Sequence, residues 1–125
     1  MALFRVIIAG TRHFNDYPLL KSYADKVLSQ KVKEGFEIVI LSGHCNKGAD
    51  KLGERYAQEK NYACRLYPAL WDKYKMGAGH KRNKQMVEEA DALIAFWDGE
   101  STGTLSTINY AKEKGIAVRV KLYKK

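Results

Sequence analysis

Short, wholly apolar runs alternate along this chain with longer segments whose apolar positions recur at helical spacing. Leu3 to Ala9 contains Val6-Ile7-Ile8-Ala9, a second run is Ile38-Val39-Ile40-Leu41, and Ala92-Leu93-Ile94-Ala95-Phe96 leads into Trp97. Such runs have no polar face to offer water, so they predict strands covered on both sides. Two other stretches alternate. Ala63 to Tyr67 places Arg65 between Cys64 and Leu66, and Ile116 to Tyr123 sets Val118, Val120 and Leu122 against Arg119 and Lys121. These predict edge strands.

Helical spacing fills the intervals. A helix is expected from about Pro18, with Leu20, Tyr23, Ala24, Val27 and Leu28 as its apolar stripe and Gly35 at its end. Ala49, Leu52, Gly53, Tyr56 and Ala57 follow the i, i+3, i+4, i+7, i+8 pattern. A third helix runs from about His80 to Ala90 with Met86 and Val87 on its inner face. A fourth begins near Leu105 and passes Ile108 and Ala111 to Gly115. Residues 68–79 form a long connection that carries Trp71, Tyr74, Gly77 and Gly79, of a length that often lies over a site.

Alternating strands and helices of this kind predict a single α/β domain over residues 1–125: a three-layer open parallel sheet of about five strands with helices on both faces. Strands one, two and four are apolar throughout and belong in the centre. That gives the order 3-2-1-4-5 and not 2-1-3-4-5, in which strand two would be an edge and strand three central. The order puts a switch point between strands one and four, where ligands of such sheets bind beyond the carboxyl ends. Three unusual loops are expected to meet there. They are Gly10-Thr11-Arg12-His13-Phe14, the segment from Ser42 to Asp50, and Trp97-Asp98-Gly99-Glu100-Ser101-Thr102-Gly103-Thr104.

Composition narrows the classes. The 125 residues are 46% hydrophobic and 29% charged, which suits a folded domain and argues against disorder. No apolar run approaches membrane-spanning length and the amino terminus already reads as a strand, so a cytoplasmic protein with no membrane partner is expected. Cys45 and Cys64 lack a metal or redox spacing, and His13, His44 and His80 are scattered, so no metal site is expected. Lys and Arg exceed Asp and Glu by 22 − 14 = 8. That balance suits anionic ligands, but the lysines are dispersed, so a solvated surface is the plainer reading and a nucleic-acid face the less favoured one.

The last of the three loops joins an apolar strand to a helix start. Unpaired amide groups and aligned peptide dipoles make such a helix start receptive to anions. Ser101, Thr102 and Thr104 add hydroxyls, and Gly99 and Gly103 allow close approach. In the second loop Gly43 and Gly48 have the G-x-x-x-x-G spacing of a triphosphatase loop, but Ala49-Asp50 stand where Lys and Ser/Thr are required. The missing lysine and hydroxyl argue against triphosphate hydrolysis by that route, while a cradle for one phosphate stays open. Asp50 suits a ribose hydroxyl, or is a stabilising first-turn acid. Arg82 shares a helix face with Met86 and Val87. Near the helix start it points toward the crevice, where a guanidinium recognises phosphate, or else it snorkels to solvent. Cys45 beside His44 reads as a reactive thiolate or, more plainly, as incidental, and Cys64 reads as core. Trp71 and Tyr74 stack on a base or pack on the helix layer.

Together, Gly10-Thr11-Arg12, Gly48-Ala49-Asp50-x-Leu52-Gly53-Glu54, Ala78-Gly79-x-x-Arg82-Asn83-x-x-Met86 and Phe96-Trp97-Asp98-Gly99-x-Ser101-x-Gly103-Thr104 resemble the YspA-type, cpYpsA-related family of the SLOG superfamily. The resemblance implies a Rossmann-like fold and a nucleotide or phosphoribosyl ligand, with no other cofactor required. Homo-oligomerisation is implied by resemblance only. Distant relatives include molybdenum-cofactor carriers, a DNA-processing protein and the lonely-guy phosphoribohydrolases. Compared with those phosphoribohydrolases, Arg82 to Met86 is similar to their R-x-x-x-M helix and the turn ending Gly103-Thr104 to their P-G-G-x-G-T-x-x-E motif. Here Thr107 stands in place of the catalytic glutamate, and His44 stands where a further glycine is expected. Glycosidic cleavage needs a carboxylate.

The expected site is therefore Gly10, Thr11, Arg12, Ser42, Gly43, Gly48, Ala49, Asp50, Arg82, Asn83, Asp98, Gly99, Ser101, Gly103 and Thr104. Arg82 and Asp98 are the candidates for catalysis if there is any. The leading expectation is a sensor or carrier that binds such a ligand. A nucleoside-monophosphate N-glycosidase is the alternative, and a nucleic-acid-binding module a further one.

Overall fold

The computed structural model describes residues 2–70, 73 and 75–124, with Met76 described by its backbone only. Five parallel strands are ordered β3-β2-β1-β4-β5. They are β1 (Leu3–Gly10), β2 (Glu37–Ser42), β3 (Ala63–Leu66), β4 (Ala92–Trp97) and β5 (Ala117–Leu122). Among the described residues four helices with defined bounds connect them: α1 (Tyr17–Lys33), α2 (Gly48–Lys60), α3 (Ala78–Glu89) and α4 (Thr102–Lys114). A 3₁₀ turn, Lys75–Gly77, leads into α3. The expected α/β, Rossmann-like sheet and its strand order are what the chain adopts.

Strand pleating divides the core. Val6 and Ile8 of β1 face one way with Ile38, Ile40, Ile94 and Phe96, and there meet Leu20, Ala24 and Leu28 of α1 and Ala49, Tyr56 and Ala57 of α2. Ile7 and Ala9 face the other way with Val39, Leu41, Leu93 and Ala95, against Met86 and Val87 of α3 and Ile108 and Ala111 of α4. The apolar runs thus mark strands with helices on both sides, as side chains that alternate across a strand require. The register pairs Ile8 with Ile94 and Ile7 with Leu41, so the central three strands form one apolar plate.

The edges differ from expectation in one respect. Cys64, read as core, is exposed, as are all four residues of β3. A strand with one neighbour and little helix above it has no second wall to bury a side chain. Two helix starts also move. α3 begins at Ala78, ahead of the expected start near His80, and α4 at Thr102, ahead of the expected start near Leu105. The Ser101 side chain accepts the Thr104 N–H, so the capped helix starts in polar residues before its apolar stripe. Trp71 and Tyr74 lie outside the described residues. No helix among the described residues is long and apolar enough to cross a membrane.

Candidate functional site

A cleft of about 540 Å³ opens beyond the carboxyl ends of β1 and β4, at the switch point. Gly10, Thr11, Arg12, Asp50, Arg82, Asn83, Asp98, Ser101, Gly103 and Thr104 all line it. Ser42, Gly43, Gly48, Ala49 and Gly99 are not among its lining residues. His13, Cys45, Lys47, Met86, Glu100, Thr102 and Thr107 complete most of the wall. Met86 was legible as lining as well as core, since it follows Arg82 by one helical turn. Lys47 precedes its helix and has no periodic neighbour to place it.

The turn after β4 is held by its own residues. Asp98 Oδ1 accepts the N–H groups of Glu100 and Ser101, both at 2.9 Å, and Trp97 Nε1 donates to the Ser101 carbonyl at 3.0 Å. One oxygen of the candidate catalytic carboxylate is thus committed to shaping the turn. Ser101 Oγ lies 3.2 Å from Thr104 Oγ1. Among the described residues, the N–H groups of Thr102 and Gly103, the first of α4, have no hydrogen-bond acceptor. A Cβ at Gly103 would meet nothing within 4 Å. The helix therefore presents two unpaired amide donors and an open approach to the cleft.

Arg82 forms the opposite wall. Its Nη1 donates to the Gly43 carbonyl at 2.6 Å and its Nε to Asn83 Oδ1 at 2.7 Å. Asn83 Nδ2 in turn reaches the Gly103 carbonyl at 3.5 Å, which ties the guanidinium to the first turn of α4. Burial lowers the Arg82 pKa, and the nearby Asp50 carboxylate opposes that shift. A guanidinium positioned this way keeps its charge.

The segment between β2 and α2 is largely self-contained. Buried Ser42 donates from Oγ to Glu54 Oε2 at 2.7 Å and accepts the His44 N–H at 3.0 Å. Both bonds shape the loop. His44 has φ 58, the left-handed backbone for which a glycine was expected. Its Nδ1 lies 3.1 Å from Glu54 Oε2, a contact that helps hold this conformation. The Cys45 N–H goes to Asp50 Oδ2 at 3.4 Å, and the Ala49 N–H goes to the Thr11 carbonyl at 3.4 Å. Three amides of the expected cradle, those of His44, Cys45 and Ala49, thus have acceptors within the protein.

Gly10 and Gly48 make the crevice possible by close packing. A Cβ on Gly10 would lie 2.3 Å from the Phe96 carbonyl oxygen and 2.8 Å from Ala49 Cβ, and one on Gly48 would lie 2.6 Å from Arg12 Cα. Phe14 stacks on Phe96 with ring centroids 4.9 Å apart, and the Thr11 N–H donates to the Phe96 carbonyl. These contacts fix the loop that carries Arg12. Thr11 is 5% exposed, and its buried hydroxyl has no hydrogen-bond partner among the described residues.

Asp50 sits half-buried in the same wall. Burial pushes its carboxyl up to about 6, against the attraction of Arg82, the Cys45 N–H and Arg12 and with some repulsion from Glu54. Thr107, 2% exposed, donates to the Gly103 carbonyl at 3.3 Å. A hydroxyl turned back on its own helix supplies neither acid nor base. The assembled groups are therefore amide donors, two guanidinium groups, a hydroxyl unpaired among the described residues and a half-buried carboxylate. Together they are equipped to hold an anion joined to a hydrogen-bond donor.

The family model described as YspA, cpYpsA-related SLOG family matches residues 4–74. The chain is 32% identical over 120 residues to the gene 61 protein of Mycobacterium phage D29, across 91% of this chain and 93% of that protein. It is also 42% identical over 33 residues to the uncharacterized SPbeta prophage-derived protein YoqJ of Bacillus subtilis (strain 168), a match covering 26% of this chain and 19% of that one.

Proposed function

The chain belongs to the YspA, cpYpsA-related SLOG family, and from that membership we propose that it binds a nucleotide or phosphoribosyl-type ligand in the cleft, as a sensor or carrier. The phosphate lies on the first turn of α4, where the Thr102 and Gly103 amides and the helix dipole receive it, with Arg82 and Arg12 balancing its charge. The observation that carries this reading is the buried hydroxyl of the cleft-lining residue Thr11, which has no partner among the described residues. A buried polar atom left unpaired costs stability, and a ligand oxygen at this point removes the cost.

Thermal denaturation with a panel of nucleotides, nucleoside monophosphates and ADP-ribose derivatives tests the proposal. At least one should raise the melting temperature in proportion to the logarithm of its concentration. A flat response across the panel sinks it. Mass spectrometry of small molecules that co-purify with the protein identifies the ligand independently.

The N-glycosidase reading has weaker support. Thr107 occupies the position where a carboxylate is wanted, and Asp98 Oδ1 already serves two backbone amides. Base release from a nucleoside monophosphate, abolished by Arg82→Ala, would promote it over the binding reading.

A further inference from the structure

We propose that Asp50 determines the sugar specificity of the cleft by accepting the hydroxyl hydrogens of a ribose-type vicinal diol. The assignment rests on the phosphate-binding reading above and deepens it. Asp50 lines the cleft from the first turn of α2. A carboxylate has about four acceptor positions. The one hydrogen bond to this one, from the Cys45 N–H at 3.4 Å, is long, and among the described residues it makes no ion pair. A half-buried carboxylate so poorly served has acceptor positions left for further donors. A first-turn acid that merely complemented the helix dipole would do so at the surface, without that desolvation.

Position decides which donor the ligand brings. Asp50 interacts with both Arg82 and Arg12, the guanidinium groups assigned to phosphate. In a phosphorylated ribose the hydroxyls stand a few bonds from the phosphate, while the base projects from the far side of the sugar. A carboxylate beside the phosphate-holding arginines therefore meets the sugar first. A second phosphate is excluded by like charge, and two adjacent hydroxyls match two carboxylate oxygens. Gly43 leaves room for this arrangement: a Cβ there would sit 2.7 Å from both Asp50 Oδ2 and Arg82 Nη1.

Isothermal titration of the full chain with ribose 5-phosphate and 2-deoxyribose 5-phosphate, and with AMP and 2′-deoxy-AMP, tests the assignment. The wild-type protein should prefer each ribose compound by about tenfold or more, as expected for a hydrogen bond to a charged group. In Asp50→Ala the ratio should fall to within about twofold. Asp50→Asn serves the same purpose if the alanine variant does not fold. Equal wild-type affinities for the ribose and deoxyribose members of a pair, or a preference that survives in the variants, overturn the sugar assignment and leave the phosphate reading standing. No binding by any of these compounds or by the wider nucleotide panel overturns both.

Discussion

Arg82 donates from Nη1 to the carbonyl oxygen of Gly43, 39 positions earlier in the chain, at 2.6 Å. The bond joins the loop after β2 to α3, and Asn83 extends the link to α4. A guanidinium meets these demands because its donors are fixed in one plane.

Lysine cannot reproduce that planar set. Arg82→Lys should retain the charge and lose the orientation, so ligand affinity measured by isothermal titration should fall about tenfold or more. Arg82→Ala should weaken it further. Unchanged affinity in the lysine variant would mean that the residue contributes charge alone.

Thr11→Val exchanges an unpaired hydroxyl for a methyl group of similar size. Without ligand, the variant should be as stable as wild type or more stable by about 1 kcal/mol, because a buried polar atom without a partner has been removed. The thermal shift produced by a ligand should shrink. This opposite movement is the diagnostic. A loss of stability in ligand-free urea denaturation would show that Thr11 has a role within the fold.

Gly10→Ala places a methyl group against the backbone of β4 and against Ala49. The 2.3 Å approach to the Phe96 carbonyl oxygen cannot be relieved by a rotamer change. Overpacking of this kind should cost about 3 kcal/mol, readable as a lower urea midpoint at unchanged slope. Gly103→Ala, where a Cβ meets nothing within 4 Å, should leave stability nearly unchanged or slightly raised. Comparable losses in both variants would contradict the packing account.

Asp50 makes stability depend on pH in a defined direction. Its folded pKa is raised from 3.8 to about 6 by burial, with Arg82, Arg12 and the Cys45 N–H opposing and Glu54 adding to the shift. Between about pH 4 and 6 the folded state keeps a proton that the unfolded chain has released, so this contribution to stability falls as pH rises through that window. Above it a deficit of about 3 kcal/mol persists. Asp50→Asn should therefore raise stability at pH 7.5 and leave it nearly unchanged at pH 4. Urea denaturation of both proteins at the two pH values checks the sign, and parallel pH dependence in the two would refute burial of Asp50 as the cause.

Strand order was readable because continuity of apolar residues reports covering on both faces, and only β1, β2 and β4 have it. Helix starts were less readable. Polar capping residues such as Ser101 begin a helix ahead of any periodic signal, so α4 starts at Thr102. The misplacement of Cys64 has a related origin: its neighbours look apolar, but β3 lies at the sheet edge. In the cleft, the sequence located the loops and could not orient the groups within them. Ser42 ends β2 and Asp50 stands in the first turn of α2, on either side of one loop, yet Asp50 lines the cleft while the buried Ser42 hydroxyl turns to Glu54. Only the fold separates such neighbours.

Across most of its length the sheet keeps the two helical layers apart, α1 and α2 on one face and α3 and α4 on the other. At the carboxyl edge that partition ends, and the Arg82 side chain reaches over the rim to the segment leading into α2. The guanidinium is thus a strap between two half-cores that the strands also couple. Cutting it would let each layer breathe separately at the mouth of the cleft, and faster amide exchange there would precede any loss of global stability.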